Sequence, residues 1–306
     1  MDWKSDPKFS IMRSLMFVPA HNEKLMESAS KRNADVLLLD LEDSVQPLHN
    51  KAVARENIKK FVSDKRFKNQ LIFPRVNDRE SGQLLKDVYE LCIEGIDGFM
   101  YPKSKKGEDV YFFDKLLETI EYEKNIPIGT FKIIALIETA AAVLNAEEIC
   151  KASGRVVGIA YGCEDFIADL GGIHDKEGKS LYAPRAIIAM AAKAHGVIPI
   201  DTVHIDVHNL TDLEENLKLA KILGFEGMLV LNPVELPLVH QYFTPDTKEV
   251  EDAKELLRLA EEAKKAGKGV AVINGKFIGP PMIFAAKKVL KKAEMIENRW
   301  KHTRRN

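Results

Sequence analysis

The sequence predicts an α/β protein: a (β/α)8 TIM barrel with a C-terminal helical and hairpin arm. Three observations lead there. Short apolar runs rich in Val, Ile and Leu alternate with longer amphipathic segments eight times before residue 232, the pattern of strand–helix units around a parallel sheet buried on both faces. No Gly-x-Gly-x-x-Gly follows the first run, which sets the chain apart from open dinucleotide-binding sheets. Charged residues gather where the runs end, and barrels build their sites at the C-terminal ends of strands.

Residues 13–18 (RSLMFV) read as a short strand ended by Pro19, and 22–31 as a helix with Leu25, Met26 and Ala29 at helical spacing. Residues 36–40 (VLLLD) form a second strand that runs into the acidic turn LEDSV, and 51–62 is helical. The third strand, 71–76 (LIFPRV), carries Arg75 near its end; a helix covers 81–94. The fourth, 98–102 (GFMYP), leads into Lys103 and a charged helix over 109–124. The fifth, 132–138 (KIIALIE), stops abruptly at Glu138, with a helix near 140–151. The sixth opens VVGIAYGCEDFIADLGG (156–172), where the apolar run stops at Gly162 and meets Glu164 and Asp165 at once. An alanine-rich helix over 181–195, a seventh strand over 197–201, a helix over 212–223 and an eighth strand over 227–231 complete the barrel. From Thr244 the pattern changes to an amphipathic helix with i, i+4 charge pairs, capped by Gly267. A hairpin, GVAVINGKFIGPP, with an Asn-Gly turn follows, and a basic helix ends the chain. The expected domains are a barrel, 1–243, and an arm, 244–306.

Carboxylates seldom stand at the mouth of a buried strand without a partner. If the fifth and sixth strands share one parallel sheet, Glu138 and Asp165 project at the same end. Two carboxylates there make a hard-cation site, with Mg²⁺ the default because it takes few protein ligands and keeps its waters. The competing reading is that each acid caps the next helix. Asp40, Glu42, Asp43, Arg75, Lys103, Glu138, Glu164 and Asp165 all fall at predicted strand ends, and separate caps would not so regularly combine acids with basic groups. Arg75 is an anion contact or a surface ion pair; Lys103 is a site cation or a solvated one. Glu42 and Asp43 belong to the site or cap the following helix, and Arg185 is an anion contact or a helix-surface charge. His204 and His208 stand at i, i+4, but Val203, Ile205 and Val207 alternate around them, which favours a loop at the barrel mouth over a zinc site. Cys163 reads as a buried filler, since no histidine adjoins it as a base.

With 45 basic against 46 acidic residues, the chain has no net field to attract nucleic acid or an anionic membrane. An apolar fraction of 45% suits a sizeable core, and no apolar stretch approaches the ~18 residues that span a bilayer. The opening MDWKSDPKFS lacks the apolar centre of a signal peptide, and Cys92, Cys150 and Cys163 have no zinc or redox spacing. The expected location is the reducing cytoplasm.

The segments RSLMFVPAHNEKLMESASKRNADVLLLDLEDSV, FPRVN, MYPKS, ALIETAAAV and GCEDFIADLGG, in this order, resemble the citrate lyase β-subunit family. That family sits in the wider HpcH/HpaI aldolase group with malyl-CoA and citramalyl-CoA lyases. The likeness covers most of residues 13–290, and the DLEDSV and GxEDFxxDLG blocks are its specific parts. It implies a metal-dependent TIM barrel using Mg²⁺, or Mn²⁺ in its place, that cleaves or forms a C–C bond beside a thioester on CoA or an acyl carrier protein. It implies Glu138 and Asp165 as metal ligands and Arg75 as the contact to the substrate carboxylate, with Glu42 and Asp43 beside the chemistry. Arg13, Lys103 and Glu164 match substrate-side positions. The expected reaction splits a citryl, citramalyl or malyl thioester into an oxo acid and an acyl thioester. The metal polarises the oxygen that becomes a carbonyl, and a guanidinium helps stabilise the enolate. Alternatives are the same metal site acting on a free oxo acid or in thioester hydrolysis or synthesis, and a non-catalytic regulatory binder of CoA or oxo acids. The family also implies a homotrimer or hexamer whose arm lies over the next subunit, and citrate lyase partner subunits. Lys287, Lys288, Lys291 and Lys292 attract CoA phosphates or form a solvated face.

The chain departs from the family pattern at four places. Met228 and Asn232 replace a Lys and the His of an Ile-His-Pro, and Ala20 replaces a Gly. Gly279, in GKFIGPP, replaces an acid expected to reach a neighbouring subunit's site. A glycine has no proton to give, so slow turnover of the family's substrates is expected.

Overall fold

The computed structural model describes residues 6–175, 178–265, 271–273 and 276–303. The first four strand–helix units are β1 (Ser14–Pro19) and α1 (Glu23–Ser30), β2 (Val36–Asp40) and α2 (Asn50–Ser63), β3 (Leu71–Ile72) and α3 (Leu84–Leu91), β4 (Gly98–Tyr101) and α4 (Gly107–Glu123). Next come β5 (Lys132–Ile137) with α5 (Ala140–Leu144) and α6 (Ala146–Lys151), then β6 (Val156–Tyr161) with α7 (Cys163–Leu170) and α8 (Lys179–His195). Finally β7 (Ile198–Asp201), α9 (Leu210–Leu223), β8 (Gly227–Val230) and α10 (Leu236–Phe243) follow. All pairings among these strands are parallel, in the order β3-β2-β1-β8-β7-β6-β5-β4.

The expected TIM-barrel architecture with its C-terminal extension is present. Every residue of β2 and of β4 to β8 is buried, which is why these strands read as continuous apolar runs without polar alternation. Side chains from many strands meet in one cluster that includes Leu15, Leu38, Phe73, Met100, Ile134, Leu136, Ala160, Ile200 and Leu229. Two buried forks stand at the N-terminal ends of the strands. Arg13 binds Asp35 through Nε (2.8 Å) and Nη2 (2.9 Å), and Arg155 reaches Glu121 through Nη1 (2.8 Å) and Nη2 (2.6 Å).

Two elements differ from expectation. The third strand shrinks to Leu71–Ile72 because Pro74 has no N–H for the ladder. The backbone nonetheless stays in register: Arg75 bridges Asp40 on one side and Met100 on the other. The Arg75 N–H reaches Leu39 O at 3.0 Å, and the Val76 N–H reaches Met100 O at 3.2 Å. Arg75 therefore sits on the seam where β3 and β4 come together. The helix expected over 140–151 breaks at Asn145, whose side-chain amide donates to Lys105 O at 3.0 Å.

The chain divides into two compact units, 1–239 and 240–306, at a point inside α10 and ahead of the expected 243/244 junction. In the second unit α11 (Thr247–Lys265) packs on α12 (Pro280–Thr303). Between them β9 (Ala271–Ile273) and β10 (Lys276–Ile278) pair antiparallel. The proposed Asn274-Gly275 turn and Gly267 cap lie outside the described residues. No described helix is long and apolar enough to cross a membrane.

Candidate active site

The C-terminal ends of the strands open onto a cavity of about 480 Å³. Phe17, Leu136, Val203, Leu229 and Leu231 supply its apolar wall, and Asp40, Asp43, Arg75, Glu138, Glu164 and Asp165 its polar one. Six of the eight strand-end residues read from the sequence thus converge on it, as a parallel barrel requires, while Glu42 and Lys103 stand off its wall.

Glu138 follows β5 directly and is 3% exposed. Its Oε1 accepts the N–H of Lys103, a residue held at φ +52°. A left-handed backbone is costly for a residue with a Cβ, and here it aims an amide at the carboxylate. Burial, with the charges of Glu42 and Asp165, still pushes the Glu138 carboxyl up to about 8. Asp165 is exposed, in the first turn of α7, where a helix favours negative charge. Gly162 separates β6 from that helix; a Cβ there would lie 2.9 Å from Glu138 Cβ and 3.2 Å from its Oε2.

Glu138 and Asp165 fit a divalent cation. Both are hard oxygen donors on one cavity, and the buried charge of Glu138 is answered by one amide hydrogen bond and the field of Arg75, too little to bring its carboxyl down to the usual range. Among the described residues no group of three or more His, Cys, Asp or Glu could hold a metal by itself. A pair of carboxylates leaves the remaining octahedral positions to water and substrate, the situation Mg²⁺ tolerates best.

Arg75 is only 8% exposed and surrounded by carboxylates. Asp40 takes it in a fork, Oδ1 to Nε at 2.6 Å and Oδ2 to Nη2 at 2.8 Å. Nη1 lies 3.1 Å from Asp43 Oδ2 and 3.2 Å from Glu42 Oε2. Phe17 lies against the guanidinium, 4.8 Å from ring centroid to Cζ. Burial alone would lower the Arg75 pKa, but these acids raise it, so the group stays charged. Asp40 also accepts the N–H groups of Glu42 and Ser44, each at 3.0 Å, and the Ser44 hydroxyl. Burial works against its charge, yet Arg75 and these donors hold its carboxyl below the usual range.

Glu42 is 5% exposed and is absent from the cavity wall. Its Oε1 makes no hydrogen bond and lies 3.3 Å from Lys103 Nζ. Burial, partly offset by Arg75, brings its carboxyl to about 7. Lys103 Nζ also binds Asp78 Oδ2 at 2.8 Å, and these partners raise its pKa. Glu164 Oε1 lies 2.8 Å from His174 Nε2.

Arg13 is a correction to the sequence reading. It precedes β1, while the cavity opens beyond the other end of that strand, and Asp35 occupies its guanidinium. At about 3.3 Å per strand residue, the length of β1 separates it from the substrate side. Arg185 likewise lies outside this cavity, 2% exposed and forked onto Asp201 at the end of β7. Residues 202–209, with His204 and His208, form an irregular segment. Burial pushes the Cys163 thiol up to about 12, which leaves it protonated and a poor nucleophile. Asp78 and the fork-holding role of Asp40 had no separate signal, since an Asp at a strand end looks the same whether it binds a ligand or a neighbouring arginine.

The family model for HpcH/HpaI aldolase/citrate lyase matches residues 13–233. The chain is 34% identical over 284 residues to the citrate lyase subunit beta of Haemophilus influenzae, covering 93% of this chain and 97% of that protein. It is 31% identical over 306 residues to the L-malyl-CoA/beta-methylmalyl-CoA lyase of Cereibacter sphaeroides, covering 93% and 95%. Among solved structures, protein CitE from Mycobacterium tuberculosis in complex with magnesium, acetoacetate and coenzyme A superposes with a TM-score of 0.73 at 26% identity, covering 94% of this chain and 99% of that one.

Proposed function

The chain belongs to the HpcH/HpaI aldolase/citrate lyase family, and on that premise we propose that it is a Mg²⁺-dependent carbon–carbon lyase. Its substrate class is a carboxylated hydroxyacyl thioester of the citryl, citramalyl or malyl kind, on CoA or an acyl carrier protein. The observation that carries this reading is the meeting of Glu138, Asp165 and Arg75 on one cavity at the barrel mouth. The relative from Mycobacterium tuberculosis, crystallised with magnesium, acetoacetate and coenzyme A, supports both the ion and the ligand class.

Glu138 and Asp165 would hold the ion, which when bound polarises the substrate oxygen that becomes a carbonyl. The chain's own groups do the rest. Asp40 and Phe17 orient Arg75 so that its charge is present where an enolate or carboxylate accumulates negative charge. Asp43, 62% exposed and on the cavity wall, can take up a hydroxyl proton. Glu42, buried behind Arg75 and off the cavity wall, helps to hold the guanidinium in place rather than meeting substrate. The apolar wall excludes water from the reacting carbon.

The second unit is proposed to lie over a neighbouring copy in a homotrimer or hexamer in the cytoplasm, bringing Gly279 where the family pattern leads one to expect an acid. Citrate lyase partner subunits belong to the same proposal, on the likeness to proteins named as β subunits. The test is incubation of the pure protein with Mg²⁺ and malyl-, citramalyl- and citryl-thioesters while released oxo acid is measured. No release with any of them, alongside retained oxo-acid binding, would point to a regulatory binder instead.

A further inference from the structure

We propose that Lys51, at the start of α2, is a positioning residue for the catalytic acids; this rests on the lyase reading. Lys51 is 6% exposed, and its ammonium has three acceptors. They are the carbonyls of Leu41 (2.9 Å) and Glu42 (3.0 Å) and the side-chain oxygen of Asn77. None of the three is a carboxylate, although a buried lysine ordinarily pairs with one.

Its partners explain the arrangement. The end of β2 and the turn after it carry Asp40, Glu42 and Asp43, whose side chains all bind Arg75. The Leu41 N–H is held by Arg75 O at 3.0 Å, and the Glu42 N–H by Asp40 Oδ1 at 3.0 Å. Lys51 grips the same two residues by their carbonyls, so the turn is clamped through both its donors and its acceptors. With both peptide groups fixed, the side chains of Glu42 and Asp43 have little freedom to leave Arg75.

The ammonium is itself braced. The Asn77 N–H (2.9 Å) and Nδ2 (2.6 Å) both donate to Asp87 Oδ2, and Asp87 Oδ1 receives Arg55 Nη1 at 2.8 Å. Asn77, Arg55 and Asp87 are all at most 5% exposed. This chain of contacts ties the acidic turn to α2 and α3, and none of its hydrogen bonds reaches Glu138, just after β5, or Asp165, in α7. Lys51 should therefore govern substrate contact directly, and Glu138 only through the charge of Glu42.

The test uses the full-length protein and a Lys51→Met variant, whose unbranched side chain is one atom shorter and lacks the charge and the donors. Oxaloacetate affinity in the presence of Mg²⁺ should fall about tenfold or more, as misplacement of a contact group does. Hydrogen exchange of amides 40–45 should rise by at least about tenfold, while Mg²⁺ affinity stays within about twofold. Glu121→Gln, which breaks the fork to Arg155 at the other end of the barrel, is the control for general destabilisation and should leave oxaloacetate binding unchanged. Wild-type exchange and oxaloacetate affinity in folded Lys51→Met overturn the proposal. An equal loss in the control overturns it too, because damage anywhere would then suffice. If Lys51→Met does not fold, Lys51→Arg keeps the charge but offers a planar fork in place of a tetrahedral ammonium, and the same two readouts decide. A wild-type protein that binds no oxo acid with Mg²⁺ refutes the lyase reading instead, and the exchange of 40–45 still judges the clamp.

Discussion

Glu138 holds its proton to about 8 because it is buried beside other acids, and a metal ligand must give that proton up. Below that pH, Mg²⁺ has to displace a proton; above it, the carboxylate is already free. Apparent Mg²⁺ affinity should therefore climb by up to about tenfold per pH unit below about 8 and level off above. Calorimetric titrations of the metal-free protein across that range check this, and a flat profile would remove Glu138 from the metal site. Glu138→Gln and Asp165→Asn should each fold normally yet bind Mg²⁺ weakly; unchanged isotherms in both contradict the assignment. At Arg75 a different property matters. Its planar guanidinium satisfies Asp40 with one edge while leaving Nη1 for other anions, and lysine cannot do both. Arg75→Lys should keep the barrel but lose about 1.5–3 kcal/mol of oxo-acid binding, the scale of a charge-assisted hydrogen bond. Wild-type affinity in that variant would take Arg75 out of the site.

At the scale of elements, the site depends on how β6 passes into α7. Gly162 lies against Glu138, and the next residues already begin the helix that presents Asp165. Gly162→Ala places a methyl against Glu138 where only its displacement makes room. Mg²⁺ affinity should fall by about tenfold or more, since a site must be held within ~0.5 Å to work, with a smaller change in thermal stability. Retained affinity would mean that Glu138 has room to move without leaving the metal. The β3 seam works the same way. Pro74 removes a ladder donor, yet Arg75 bridges both neighbours, so one residue both joins the sheet and supplies the cation.

At the scale of the molecule, the barrel unit carries all the acids and cations of the candidate active site, while Gly279 belongs to the second unit. If that unit reaches a neighbouring copy, Gly279→Asp restores an acid to the site. Turnover of a malyl or citramalyl thioester should then rise, toward the roughly 10²–10⁴-fold that general acid–base help contributes, with Mg²⁺ affinity unchanged. Equal rates for both proteins would place the proton donor within the barrel, with Glu42 and Asp43 the first residues to vary. Sedimentation at several concentrations tests the assembly itself, and a monomer throughout would end the proposal of a crossing arm.

The barrel was legible in the sequence because strands buried on both faces must be apolar along their whole length, and 36–40, 132–137 and 156–161 say so without help from neighbours. The convergence of Glu138, Asp165 and Arg75 was legible for a related reason, since parallel strands put their C-terminal ends on one face. Individual partners were not. Arg13 and Arg75 both adjoin apolar runs in the sequence, but Arg13 lies at the start of its strand, where it binds Asp35, and Arg75 at the far end. Lys51 stands in the sequence simply at the start of a helix, and only the approach of α2 to the turn after β2 buries it against two carbonyls. Periodicity reports which face of an element is dry, a local property of the chain. Which charge meets which depends on contacts across 9 and 26 residues for Lys51 and 35 for Arg75, and packing alone sets those.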